Sequence, residues 1–167
     1  MITAMDKDII DNLQDDWLQQ RPDLDFESIG TALRIQALAK LFADSASSRL
    51  QAFDLQWWQY DVLSALRRQG MPFMLAATEL ADASMLTSGA MTNRIDRLEQ
   101  AGLVNRLQDH SDRRRVLVHL TEKGLALIDQ ATEARFDAAS ESLRGLSKQQ
   151  RKQLNDLLRA ALLAQEN

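Results

Sequence analysis

Thr87-Ser88-Gly89-Ala90-Met91-Thr92-Asn93-Arg94-Ile95-Asp96-Arg97-Leu98 is followed by the polar loop Asp109-His110-Ser111-Asp112-Arg113-Arg114-Arg115. In the first stretch Met91, Ile95 and Leu98 recur at helical spacing, and Thr87 stands where an N-cap belongs. The opposite face, Ser88, Gly89, Thr92, Asn93 and Asp96, is small and polar, so such a helix can approach another surface closely. The segment Ser88–Arg115 holds six arginines and no lysine against four carboxylates, which leaves it about two charges positive in a chain of formal net charge -4. A cationic focus on an acidic protein calls for a local anionic partner.

Working outward, Thr78–Ala83 reads as a short helix that turns at Ser84-Met85 into the helix opened by Thr87 and ended by Gly102. Two short helices joined tightly are a helix-turn-helix. From Leu103 the period changes to two. Val104–Leu107 and Val116–Leu120 flank the polar loop as strands of a hairpin, a wing. The remaining spacing is helical: about Met5–Gln20, Phe26–Ala52, Leu55–Gln69 ending at Gly70-Met71-Pro72, Thr121 to about Leu143, and a last helix capped by Ser147 and running through Leu162. The expected fold is mainly α, a winged helix-turn-helix with a β-hairpin wing, flanked by N- and C-terminal dimerisation helices. Residues 1–167 are expected to form one domain. Residues 5–52 and 121–165 serve mainly dimerisation in that reading, and 55–120 form the DNA-binding region.

Outward-facing Thr87, Ser88, Gly89, Thr92, Asn93 and Arg97 are the candidate major-groove contacts, because short polar side chains and a guanidinium donate to phosphates or base edges. Arg113, Arg114 and Arg115 at a hairpin tip repel one another, so folding does not explain them. Insertion into a narrow, electronegative minor groove does. Asp112 is expected to restrain the loop by pairing with a neighbouring arginine. Leu146, Leu154, Leu157, Leu158, Leu162 and Leu163, with the Trp17 helix, make more apolar surface than one copy needs, which points to a homodimer.

Other classes fit poorly. The chain has two histidines, no cysteine, no Gly-rich phosphate loop and no nucleophile elbow, so no enzyme, cofactor or metal site is expected. His110 and His119 lack metal-ligand spacing. No apolar run approaches the ~20 residues of a membrane span. The acidic N-terminus (Asp6, Asp8, Asp11, Asp15, Asp16) is unlike an export signal, which leaves the cytoplasm as the expected location.

These residues resemble the MarR family of winged-helix transcription regulators. The resemblance spans Leu55–Leu127, through Leu98-Glu99-Gln100-Ala101-Gly102-Leu103-Val104, Asp112-Arg113-Arg114-Arg115 and Leu120-Thr121-Glu122-Lys123-Gly124. It implies a homodimer on a pseudopalindromic duplex DNA operator, with recognition helices in major grooves and wings in minor grooves, acting as a repressor relieved by a small ligand. A narrower resemblance is to the urate-responsive subfamily of PecS-like and HucR-like regulators, carried by Trp17-Leu18-Gln19-Gln20-Arg21-Pro22-Asp23-Leu24-Asp25. It implies urate or a related aromatic anion as ligand and the set Trp17, Asp61, Arg94 and Arg106. Asp61 and Arg94 lie at the margins of the Trp58–Val62–Ala65 and Met91–Ile95–Leu98 stripes, so a semi-buried pair is expected if those faces meet. The alternative is a ligand-independent or architectural DNA-binding protein controlled by a protein partner.

Overall fold

The computed structural model describes residues 7–109, 112 and 115–165. Among them are seven helices and three strands: α1 (Ile9–Gln20), α2 (Phe26–Gln51), α3 (Trp57–Arg67), β1 (Met74–Ala76), α4 (Ala77–Ala83), α5 (Ser88–Gln100), β2 (Val104–Gln108), β3 (Val116–Leu120), α6 (Glu122–Ser142) and α7 (Lys148–Leu163). The chain divides into two compact units, one of Met1–Ser45 and Ala138–Asn167, the other of Ala46–Asp137. The helix start expected at Met5 lies outside the described residues.

The second unit contains the winged helix. Leu50, Val62, Leu63, Leu66, Leu80, Met91, Ile95, Leu98, Val104, Val118 and Ile128 are fully buried there. Those from α5 are the stripe read from sequence, so the helical period decides which face of α5 stays outside. Its antiparallel sheet has the order β1-β3-β2, with Met74 opposite His119 on one side and Val104 opposite Leu120 on the other. β1 is not anticipated by the alternation that reveals the wing strands. It is three residues long and enters the sheet from Phe73, whose φ is 58° and whose carbonyl accepts the Leu120 N–H at 3.2 Å.

The sequence Gly102 to Gly124 locks the wing onto α5. Gly102 takes φ 70°, the left-handed residue that ends α5, and the Leu103 N–H returns to the Leu98 carbonyl at 2.9 Å. The Leu103 carbonyl then accepts from the Thr121 N–H at 3.1 Å. The Thr121 hydroxyl donates to the Gly102 carbonyl at 2.8 Å and accepts the Gly124 N–H at 2.9 Å, capping α6. A Cβ on Gly124 would fall on the Leu103 carbonyl, so this position admits no side chain.

In the first unit Asp8 caps α1, accepting from the Ile10 and Asp11 N–H groups at 2.8 and 2.9 Å while Asp11 accepts from the Asp8 N–H at 2.9 Å. Arg34 of α2 holds both carboxylates, at 2.8 Å from Asp8 and 2.7 Å from Asp11. That guanidinium and the capping N–H groups lower the Asp8 carboxyl to about 2. Neither α1 nor α7 buries a residue. Ile9 (77% exposed), Leu157 (70%) and Leu162 (67%) head a series of uncovered apolar side chains on these two helices.

Candidate nucleic-acid interface and ligand cleft

The helix-turn-helix is built by a reversal without glycine. The Leu86 N–H returns to the Ala81 carbonyl at 2.9 Å, and Met85 carries the bend at φ 51° with its side chain in solvent. Thr87 then caps α5 by accepting the Ala90 N–H at 3.3 Å. Thr87, Ser88, Gly89, Thr92, Asn93 and Arg97 are all exposed, on the side of α5 away from the core. The Thr92 hydroxyl donates to the Ser88 carbonyl at 2.9 Å, so it presents a methyl group and acceptor lone pairs outward. This polar face is at once the N-terminal part of a helix, where backbone N–H groups favour phosphate.

Arg113 and Arg114, expected at the wing tip, lie outside the described residues. Arg115 is placed differently from a tip residue. Its N–H bonds the Asp112 carbonyl at 2.9 Å and its carbonyl accepts the Asp109 N–H at 3.1 Å, which closes the root of the hairpin. Its guanidinium reaches Glu79 of α4 at 2.8 Å and approaches Asp109 at 3.9 Å. Glu79 in turn accepts the Ala76 N–H at 2.8 Å, so one carboxylate fixes both the start of α4 and the wing.

The ligand set inferred from resemblance is distributed over both units. Trp17 belongs to the first, half-exposed beside an apolar hollow of about 350 Å³ lined also by Leu13, Leu24, Phe26 and Ile29. Asp61, Arg94 and Arg106 belong to the second. The expected Asp61–Arg94 ion pair is not formed. Arg94 instead lies over the Trp58 ring, 5.6 Å from its centroid, where the aromatic face attracts its charge. Arg106 is held by Asp96 at 2.5 Å and Glu99 at 2.6 Å, and also donates to the Thr92 carbonyl at 3.3 Å. Burial works against its charge, yet the two carboxylates hold its pKa above the ordinary arginine value.

Asp61 opens on a cavity of about 720 Å³ lined by α3, the α4–α5 turn, Arg94 and the middle of α6 at Thr132, Arg135 and Phe136. Desolvation raises its carboxyl above the ordinary aspartate value, against the opposing pull of Arg135, Arg94 and Arg68. Arg67 also lines this cavity, but it is paired with Asp129 at 2.6 Å and stacked on Phe73. Arg135 and Arg68 are cleft-lining residues that sequence reading passes over. Arg135 lies on α6, far from Asp61 in sequence and within a helix whose leucines suggest only packing. No group of three His, Cys, Asp or Glu side chains among the described residues is placed to hold a metal ion, and no helix among them is long and apolar enough to cross a membrane.

A helix-turn-helix with an exposed polar second helix, joined through a glycine-locked hairpin, defines a winged-helix protein. The MarR family model matches residues 55–116. The HTH-type transcriptional regulator PecS of Dickeya dadantii (strain 3937) is 33% identical over 152 residues, covering 89% of this chain and 90% of the relative. Among solved structures, a mutant MarR from E. coli complexed with operator DNA aligns with a TM-score of 0.68 at 28% identity, covering 84% of this chain and 99% of that one. AbsC, a MarR family transcriptional regulator from Streptomyces coelicolor, shares the fold with a TM-score of 0.71 at 23% identity, over 86% of this chain and 96% of that one. The chain belongs to the MarR family of winged-helix transcription regulators, which are not enzymes.

Proposed function

We propose that the protein is a homodimeric repressor that binds a pseudopalindromic DNA operator and is released by urate or a related aromatic anion. The observation that carries the DNA part is the exposed face of α5, where Thr87, Ser88, Gly89, Thr92, Asn93 and Arg97 stand clear of the core. These residues enter a major groove, and Arg113, Arg114 and Arg115 serve the wing, with Arg115 as its anchor through Glu79. Likeness to a MarR from E. coli solved with operator DNA supports this reading.

Residues 5–52 and 121–165 supply the dimer contacts in this proposal, and 55–120 the DNA-binding region. The uncovered apolar side chains on α1 and on α7 support it, since large apolar side chains left exposed in such number usually mark an interface. Release by an aromatic anion rests on the Asp61 cleft with Arg94, and on the subfamily resemblance of the sequence for Trp17 and Arg106. Because Arg94 belongs to α5, an anion drawing it from Trp58 acts directly on the DNA-reading helix.

Selection of duplexes from a random pool, followed by footprinting and sedimentation of the bound species, tests the proposal. Two protected half-sites about one helical turn apart on a 2:1 complex are expected. A single half-site held by a monomer, or no enrichment of any sequence, contradicts it.

A further inference from the structure

The Asp61 cleft holds more positive charge than the ligand set Trp17, Asp61, Arg94 and Arg106 brings to it. Arg135 lines it with its guanidinium carbon 4.5 Å from the Trp57 ring centroid and 5.1 Å from that of Tyr60. Stacking occupies the faces of a guanidinium and leaves its N–H donors, which lie in the plane, for something else. Among the described residues Arg68, Arg94 and Arg135 share one carboxylate, Asp61, at long range, and none of them has an ion-pair contact. Asp61 for its part receives no hydrogen bond on its carboxylate oxygens among those residues, although it is partly desolvated.

We propose that Arg135 is a ligand-binding residue of this cleft and that, with Arg94, it selects a planar aromatic anion that also carries an N–H or O–H donor for Asp61. This rests on the ligand-responsive reading above and deepens it. Two demands define the ligand class. A simple inorganic anion would satisfy the arginines but face Asp61 with like charge. A neutral planar molecule would donate to Asp61 but leave the guanidinium groups without a counter-charge. A ring system bearing both an oxyanion and a ring N–H meets both, and the rings of Trp57 and Tyr60 hold the Arg135 fork ready without cost in mobility at the moment of binding.

The test is calorimetric titration of the full-length protein with urate, an anion at neutral pH, and with hypoxanthine, a neutral purine of similar shape. Arg135→Gln is expected to weaken urate about tenfold or more, as loss of a charge-assisted hydrogen bond does, and to leave hypoxanthine binding unchanged. Arg135→Lys, which keeps the charge and loses the fork, is expected to restore part of the preference for urate. If Arg135→Gln does not fold, the urate-to-hypoxanthine ratio of Arg135→Lys decides, with a lowered ratio expected. Wild-type binding of urate with an unchanged ratio in the variants overturns the assignment of Arg135 and leaves the ligand-responsive reading standing. Failure of the wild type to bind urate removes that reading, and this assignment with it.

Discussion

The Arg115 guanidinium lies 2.8 Å from the Glu79 carboxylate, thirty-six residues away in sequence, and so joins the root of the wing to the first helix of the helix-turn-helix. Both side chains are nearly half exposed, so the pair by itself contributes little to stability. Its consequence is geometric, because it ties the root of the wing to the start of α4 in addition to the Gly102–Gly124 lock on α5.

Glu79→Ala removes the pair and the acceptor for the Ala76 N–H together. The stability loss is expected to be about 1 kcal/mol, mostly from the lost cap, measured by urea denaturation. DNA affinity should fall further than this small destabilisation accounts for, since the wing loses its anchor. Unchanged DNA affinity in a Glu79→Ala protein would show that the anchor is irrelevant to binding.

On α5 and the wing the labour is divided. Thr92 spends its hydroxyl proton on the Ser88 carbonyl and so offers an acceptor and a methyl group to base edges. Thr92→Ala is expected to alter preference among operator variants, each affected base step changing by about 1–3 kcal/mol. Arg114→Ala is expected to weaken binding to every duplex alike and to lessen the salt dependence of affinity by about one unit of slope. Anisotropy titrations on specific and random duplexes at several salt concentrations separate the two. An equal loss on both kinds of DNA for both variants would overturn the division.

Asp61 is held in a partly desolvated cleft, and its folded-state pKa is raised above the unfolded value. An acid shifted upward destabilises the fold once pH exceeds the unfolded pKa, because the folded state must then carry a charge that it disfavours. Asp61→Asn should therefore stabilise the ligand-free protein at neutral pH. The gain should disappear as pH falls below the ordinary aspartate range, where both forms are neutral. Thermal melts across that range check the sign; a gain that is constant with pH would mean that the carboxyl charge is not its source.

Gly124→Ala should cost about 1–3 kcal/mol or more, the cost of overpacking where the neighbouring atom is a backbone carbonyl and cannot step aside. The denaturant midpoint of the variant measures this. Wild-type stability in Gly124→Ala would require the α6 start to be set differently from the Thr121–Leu103 arrangement described above.

The winged helix was legible where local chemistry determines it. Thr87 and Gly102 bracket α5 at nearly the residues read from sequence, and Met91, Ile95 and Leu98 are all buried. Ser147 caps α7 as the Ser-Lys-Gln-Gln pattern implies. β1 is not legible in the sequence because three residues give no alternation to count, and its pairing depends on β3, more than forty positions on. In the cleft, helical spacing placed Asp61 and Arg94 on suitable margins, but spacing does not decide between a carboxylate and an indole as partner for Arg94. Trp58 lies three residues before Asp61 on the same helix and is the partner that the fold selects. Arg135 carried no local signal at all. Its significance comes from Trp57 and Tyr60, which only the packing of α3 near α6 brings to it.

On the proposed function, an aromatic anion releases this protein from DNA. The most direct measurement is a gel-shift titration on the DNA immediately upstream of its own gene, at fixed near-physiological salt, with and without urate. Tight binding that urate reverses and that hypoxanthine leaves intact is expected. Tight binding indifferent to urate would contradict the proposed release by this anion while leaving the winged-helix reading in place.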